Sequence, residues 1–200
     1  MPTIFSHAAF GFGATKLATG DASTHARLLI ASSVLAALPD ADGIFFGRIP
    51  YGSMLGHRGL THSLLFAAVI GTATAFLFTR LNWATGWPFS RLALLFSLVM
   101  ASHGFFDSLT DGGMGVAFFA PFDSTRYFLP WRPIPVAPMS AGGLMSARGE
   151  RLLLWEAALF WSFAVGAALW TRQTMWRMVA SVACWVFTLV AWVVAFSRNS

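Results

Sequence analysis

The sequence predicts an all-α membrane protein, a polytopic bundle of about five to six helices, some of them short, in one integral membrane domain over residues 1–200. Of the 200 residues, 56% are hydrophobic and only 10% are charged, whereas soluble domains carry about 25% charged residues. Several runs almost free of charge approach the ~20 apolar residues that span a bilayer as a helix. Patterns typical of strands are rare, so the fold class is helical.

Six helices follow along the chain. Helix one is weakly apolar, and helix two is short because Pro39 lacks an N–H and clashes with the preceding turn. A stretch rich in Gly and Pro between the fourth and fifth helices, over 108–150, predicts a long ordered loop. The predicted helices are 3–18, 27–38, 62–81, 91–107, 151–171 and 177–197.

Alternate crossing of these helices separates the loops into two groups. The short loops 19–26, 82–90 and 172–176 share one end of the bundle, and loops 39–61 and 108–150 share the other. Short loops rich in Lys and Arg stay in the cytoplasm. The short-loop end is therefore predicted to be cytoplasmic, because six basic residues flank its loops: Lys16, Arg27, Arg80, Arg91, Arg172 and Arg177. The same bias accounts for the net charge of +5, and no nucleic-acid partner is expected.

The opposite, extracytoplasmic end collects the residues that can bind metal. Asp21 is the one acid at the cytoplasmic end, and His25 is the one histidine there. The other histidines are distant in sequence but thread to the extracytoplasmic end: His7, His57, His62 and His103. A site is therefore predicted at this end.

Two acidic motifs lie at helix ends there. In "LPDADG", Pro39 is predicted to end helix two and to place Asp40 and Asp42 in the following loop, as solvated aspartates or as metal ligands. This loop lacks the remaining acidic ligands of an EF-hand. In "SHGFFD", His103 and Asp107 are four residues apart and share a helix face, either as metal ligands or as a hydrogen-bonded pair.

The motif "HRGLTHS", over 57–63, combines ligands with an anion site. His57 is predicted in the loop and His62 in the first turn of helix three, which Thr61 or Ser63 would cap. A helix N-terminus favours anions, and Arg58 is a two-pronged donor suited to phosphate. Arg58 and Ser63 are therefore candidate substrate-binding residues.

Further polar residues thread to the same end. Glu150 and Glu156 are possible additional ligands, or they pair with Arg148 or Arg151. An ionisable residue within a span usually marks function or a buried pair. Arg126 is a candidate substrate-binding residue in the long loop, where Asp111 and Asp123 support substrate or structure.

Four histidines and three aspartates exceed the three protein ligands of one catalytic zinc. They predict a divalent metal site, with zinc favoured, manganese or iron as alternatives, and two ions expected. Two ions clamp both oxygens of a phosphoryl displacement. The predicted activity is hydrolysis of a small-molecule or lipid phosphoester, with Asp40 or Asp42 as general base and Arg58 on the phosphate. The alternatives are a metal-ion binding or transport protein and a structural membrane subunit.

The same motifs resemble the YdjM-like membrane-bound metal-dependent hydrolases over most of residues 5–125, whereas the C-terminal helices 151–197 are generic. The resemblance is carried by His7 with Gly11, "PD-x-D" at 39–42, "HRG-x-THS" at 57–63 and "H-x-x-x-D" at 103–107. It implies a bacterial inner-membrane protein with a metal-dependent hydrolase site, remotely similar to zinc-dependent phospholipase C and P1-type nucleases. On that analogy the ligands would be His7, Asp40, Asp42, His57, His62, His103 and Asp107. The chain lacks the free N-terminal tryptophan that those soluble enzymes use as a ligand.

Overall fold

A computed structural model describes residues 2–20, 26–170 and 174–197 of the protein. Across these ranges the regular structure is helical and includes no strand, only isolated β-bridges. The all-α prediction is therefore confirmed. His25, Asp21 and Arg172, predicted at the cytoplasmic end, lie outside the described residues. The six main helices are α1 (Ile4–Thr19), α2 (Ala26–Ala37), α3 (Leu64–Arg80), α4 (Phe89–Ser108), α5 (Ala147–Leu169) and α6 (Met175–Ser197).

Within the described ranges, four helical segments are long and apolar enough to cross a membrane. They are α2 with its continuation to Phe45, α4, α5 and α6. Helix α3 is apolar but shorter, with 17 residues, which extend about 26 Å at ~1.5 Å per residue. Large apolar side chains remain exposed along α6, Leu189 and Val193 among them, which suits a surface that faces lipid. The chain is thus a polytopic helical bundle.

The helices pack in the order α3, α4, α2, α1, α5, α6. One apolar cluster joins α2, α3 and α4 around Leu28, Phe78 and Phe96. A second cluster joins the end of α4 to α5 and α6 around Phe106 and Phe160. Helices α1, α2 and α4 therefore meet at the centre of the bundle, between the two clusters.

Two glycines allow the close approaches that form this centre. A Cβ on Gly11 of α1 would lie 2.6 Å from the carbonyl oxygen of Ser32 in α2. A Cβ on Gly104 of α4 would lie 2.8 Å from the carbonyl oxygen of His62. Because both distances are shorter than real Cβ contacts, a side chain at either position would push apart the backbones that carry the predicted histidines.

Two predicted boundaries differ from the structure. Pro39 does not lead into a loop, because the chain continues after α2 as a 3₁₀ helix over Leu38–Phe45. Proline is tolerated there because an N–H at the start of a helix has no intrahelical partner. His62 is not in the first turn of α3 but in a preceding 3₁₀ turn, Leu60–His62, and Ser63 caps α3 by accepting a hydrogen bond from Phe66 N at 3.1 Å.

The long loop over 108–150 is ordered, as predicted, and folds back onto the "HRGLTHS" segment. Its backbone pairs Thr110 with Ile134 and Val116 with Tyr127. Ala117 N donates to the carbonyl oxygen of Arg58 at 3.0 Å. A short helical turn over Ala141–Leu144 precedes α5. Helix α5 contains a π-helical segment over Ala157–Trp161.

The three loop residues that the sequence singles out serve the loop itself. Asp111 accepts a hydrogen bond from Val136 N at 2.7 Å, and Asp123 accepts one from Thr125 N at 2.8 Å. The Arg126 guanidinium donates to the carbonyl oxygens of Tyr51 and His57 at 2.8 and 2.9 Å. The two aspartates therefore fix the conformation of the loop, and Arg126 holds the loop against residues 51–57.

Candidate metal centre

The structure brings seven of the predicted residues together at one end of the bundle. Helix α1 supplies a histidine near its start, the 3₁₀ continuation of α2 supplies two aspartates, and the last turns of α4 supply a histidine and an aspartate. The "HRGLTHS" segment adds two histidines from the loop before α3. These residues are His7, Asp40, Asp42, His57, His62, His103 and Asp107.

Four of them form a group whose ligand atoms all lie within 4.8 Å of one another: Asp40, His62, His103 and Asp107. The His103 Nε2 atom is 3.3 Å from Asp40 Oδ1, and His62 Nε2 is 3.4 Å from Asp107 Oδ2. Zinc binds nitrogen and oxygen ligands at about 2.0–2.2 Å in a tetrahedron. Neighbouring donors of such a site are therefore about 3.3–3.6 Å apart, so these spacings suit ligands that surround one ion.

The facing atoms of this group are buried without hydrogen-bond partners among the described residues. They are Nε2 of His62 and of His103 and both carboxylate oxygens of Asp40 and of Asp107. The four side chains are at most 4% exposed. Buried polar atoms in folded proteins nearly always have a partner. The convergence of these atoms on one point is what identifies the group as a candidate metal centre.

Hydrogen bonds on the outer side of each imidazole direct its Nε2 atom inward. His103 Nδ1 lies 2.7 Å from the carbonyl oxygen of Ala36, so Nδ1 donates a hydrogen bond and Nε2 is the atom that can bind a metal. His62 Nδ1 lies 2.9 Å from Thr61 Oγ1, which donates to Asp42 Oδ2 at 2.6 Å. Metal-ligating histidines commonly have such outer partners, which fix the tautomer and the ring orientation.

A second group consists of Asp42, His57 and His62. Its donors are already engaged, because His57 Nδ1 lies 2.6 Å from Asp42 Oδ1 in a hydrogen bond. His62 faces this group with Nδ1, which Thr61 also contacts. The second group therefore suits the orientation of His62 better than the binding of another ion.

His7 lies against the four-residue group without belonging to it. Its ring stacks on His103 with centroids 3.7 Å apart and an interplanar angle of 16°. Its Nε2 atom is 3.4 Å from Asp107 Oδ1 and has no hydrogen-bond partner among the described residues. His7 thus closes the side of the centre formed by α1.

Arg58 joins the centre to the long loop. Its backbone has a φ of 62°, a conformation uncommon for residues other than glycine, and its side chain is 1% exposed. Arg58 Nε lies 3.2 Å from Asp107 Oδ2, while Nη2 donates to Thr110 Oγ1 at 2.9 Å and Nη1 to the carbonyl oxygen of Gly112 at 3.0 Å. The guanidinium therefore holds Asp107 in place. It also lines a cavity of about 120 Å³ beside His57.

The aspartates around His62 favour its protonated form. Burial alone would lower the pKa of the imidazole, but its contacts with Asp107, Asp40 and Asp42 outweigh burial and raise the pKa well above its usual range. A group that concentrates negative charge in this way also attracts cations. A divalent ion that binds there would displace the proton from His62.

Other candidate residues lie apart from both groups. Glu156 is buried and accepts hydrogen bonds from Thr3 N at 2.7 Å, from Ser6 Oγ at 2.5 Å and from the Thr3 hydroxyl. It therefore anchors the N-terminus of α1 to α5. Glu150 is exposed, and within the described ranges neither glutamate forms an ion pair with Arg148 or Arg151.

Sequence reasoning misses several side chains that orient the site. Thr61 is a candidate helix cap in the sequence, but its hydroxyl bridges Asp42 and His62. Tyr51 stacks on His57 with centroids 5.5 Å apart. Thr110 is not singled out by any motif, although it accepts a hydrogen bond from Arg58. Among these three side chains, only Thr61 has a signal in the sequence for an orienting role, because it directly precedes the predicted ligand His62.

Comparison with known proteins places the chain among bacterial membrane proteins. A family model described as YdjM inner membrane protein matches residues 1–196. The chain is 35% identical over 180 residues to the inner membrane protein YbcI of Escherichia coli (strain K12), an alignment that covers 86% of this chain and 100% of YbcI. No solved structure matches.

Proposed function

The chain belongs to the YdjM inner membrane protein family, and we propose that it is a membrane-bound, metal-dependent hydrolase of phosphoesters. The observation that carries the proposal is the group of Asp40, His62, His103 and Asp107, whose buried facing atoms have no hydrogen-bond partners among the described residues. In a purely structural polar cluster these atoms would have only ion-pair contacts of 3.2–3.8 Å without hydrogen bonds, whereas buried polar groups nearly always have a hydrogen-bond partner.

We propose zinc as the ion, because two imidazoles and two carboxylates at tetrahedral spacing suit it; manganese and iron also accept such ligands. One ion in the four-residue group has the stronger support. The second ion that the sequence predicts would need the donors of Asp42 and His57, which already share a hydrogen bond of 2.6 Å. Metal stoichiometry distinguishes one ion from two.

The ion and the aspartates near it would have different roles in hydrolysis. When bound, a divalent ion polarises a phosphoryl oxygen and makes water a better nucleophile near neutral pH. Asp40 is the better candidate for general base, because neither of its oxygens has a hydrogen-bond partner within the described part of the chain. One oxygen would hold the ion, and the other would accept the proton of the attacking water. Asp42 accepts hydrogen bonds from His57 and Thr61, which suits a role in orienting imidazoles.

Arg58 is the proposed contact to the substrate. A guanidinium carries five N–H donors, so its contacts with Asp107, Thr110 and Gly112 leave donors for an oxyanion in the adjacent cavity of about 120 Å³. Ser63 is less suited to this role, since it is buried and caps α3. From the distribution of basic residues in short loops, we propose that the centre opens on the extracytoplasmic side.

The second candidate function is metal binding or transport without hydrolysis. The near-complete burial of the four side chains favours it, because the ion would be shielded from a bulky substrate. Turnover by the purified protein separates the two functions.

The test is an activity assay on full-length protein purified in detergent and loaded with zinc or manganese. Aryl phosphomonoesters, aryl phosphodiesters and phospholipids serve as substrates. We expect hydrolysis that Asp40→Asn lowers by at least ~100-fold, because the variant loses both a metal ligand and the proposed general base, whose removal alone acts on this scale. Replacing exposed Arg48 with glutamine should leave hydrolysis unchanged. Equal activity in wild type and Asp40→Asn would reveal a contaminating enzyme and contradict the proposal, as would metal-loaded protein without turnover of any substrate.

A further inference from the structure

A basic cavity lies at the end of the bundle, outside the metal centre. It has a volume of about 510 Å³ and is lined by three exposed arginines, Arg132, Arg148 and Arg151, where α5 begins. Within the part of the chain that the structure describes, none of the three guanidiniums forms an ion pair with a carboxylate. Asp111 also lines the cavity, and its carboxylate offsets one of the three positive charges. The cavity therefore presents a net positive charge.

An apolar groove of about 460 Å³ is lined in part by residues next in sequence to those of the cavity. Its walls include Phe106, Leu129, Trp131, Trp192 and Phe196, and every residue that lines it is apolar. The two spaces are contiguous along the chain, because Trp131 lines the groove while Arg132 lines the cavity, and Phe196 lines the groove while Ala195 lines the cavity. A volume of this size matches that of sites that hold small molecules.

The basic cavity and the apolar groove both lie at the ends of helices that are long enough to span the membrane. The groove lies against the last residues of α4 and α6, two of the segments long enough to cross the membrane, and the cavity lies against the first residues of α5, a third. Ends of membrane spans lie at the boundary between hydrocarbon and water, where lipid phosphates also lie. A ligand that fills both spaces would thus place an anion in water and an apolar chain beside the hydrocarbon.

We propose that the basic cavity and the apolar groove together bind an anionic glycerophospholipid, with its phosphate among Arg132, Arg148 and Arg151 and one acyl chain in the groove. Charge complementarity favours a lipid with an anionic headgroup, because three guanidiniums line the cavity and guanidinium groups bind phosphate with two parallel hydrogen bonds. The apolar lining selects a chain instead of a free phosphate. None of the four residues of the metal group lines either space, so the proposal stands whether or not the protein hydrolyses phosphoesters.

The test measures binding of synthetic lipids to full-length protein in detergent, by native mass spectrometry and thermal stabilisation. The probes are dioleoyl phosphatidylglycerol, dioleoyl phosphatidylcholine, short-chain dihexanoyl phosphatidylglycerol and inorganic phosphate. We expect tighter binding of the long-chain anionic lipid than of the other three. Replacing the three arginines by glutamine should weaken its binding by about fivefold for each arginine, the effect typical of one basic side chain beside an anionic lipid surface.

Matched variants distinguish lipid binding at this site from non-specific attraction of anionic lipid to surface arginines. Arg48, Arg80 and Arg177 are exposed arginines outside both spaces, and their triple glutamine variant should bind the lipid like wild type. Trp131→Ala should weaken binding of the long-chain lipid but not of the dihexanoyl analogue. Equal losses in both triple variants, equal binding of phosphatidylcholine, or full stabilisation by inorganic phosphate would each overturn the proposal.

Discussion

Replacing Arg58 with lysine is expected to destabilise the protein although the charge is kept. The guanidinium is 1% exposed and contacts Asp107 Oδ2, Thr110 Oγ1 and the Gly112 carbonyl oxygen at 3.2, 2.9 and 3.0 Å. A lysine ammonium is a compact charge on a flexible stem and reaches one of these partners well. Two of the three contacts with the charged group are then lost, and each contributes about 1–3 kcal/mol. The expected loss in free energy of unfolding is therefore about 2–6 kcal/mol.

Equilibrium unfolding of the purified protein in mixed detergent measures this loss, with and without added zinc. Arg48→Lys is the control, because Arg48 is exposed and surface substitutions usually change stability by less than about 0.5 kcal/mol. Added zinc should reduce the difference in free energy of unfolding between Arg58→Lys and wild type, because a bound cation compensates the negative charge of Asp107. An Arg58→Lys protein as stable as Arg48→Lys would refute the assigned role of the guanidinium.

Three further predictions follow from the described contacts. Glu156→Ala should lower stability by about 2–4 kcal/mol, because it leaves buried donors without an acceptor, whereas Glu150→Ala should have little effect; equal unfolding of the two variants would contradict the anchoring role. Thr61→Val should weaken zinc affinity by about 10- to 100-fold in a competition titration, because it removes the hydroxyl that orients an imidazole, and unchanged affinity would refute this. In a background without the native cysteine, an impermeant thiol reagent should label Phe122→Cys but not Thr85→Cys in intact cells, and the reverse pattern would place the centre on the cytoplasmic side.

Composition and threading suffice for the helices and for the end of the bundle where the histidines meet. The uncharged run 178–196 predicts a span directly, and the structure has α6 over Met175–Ser197. The gathering of His7, His62 and His103 follows from alternate crossings, which depend only on the number of helices. Hydrophobic runs are local and the number of crossings is topological, so both can be predicted from the sequence alone.

The contacts within the centre could not be predicted, because they depend on how the elements pack. The sequence predicts that Arg58 binds phosphate, but in the structure its guanidinium lies against Asp107 of α4. That contact needs the left-handed backbone of Arg58 and the return of the long loop over it. Glu156 is recognisable as an intramembrane carboxylate, yet nothing local indicates that its partners are Thr3 and Ser6 at the start of α1.

Metal content of the purified protein tests the central claim most directly. After zinc loading and removal of free ion, elemental analysis should find about one zinc per chain in wild type and in Arg48→Gln. Asp40→Asn, which keeps the side-chain shape but removes a charged ligand from the four-residue group, should retain little. Wild type without bound metal, or an Asp40→Asn protein that retains as much zinc as Arg48→Gln, would contradict the assignment of Asp40, His62, His103 and Asp107 as a metal centre.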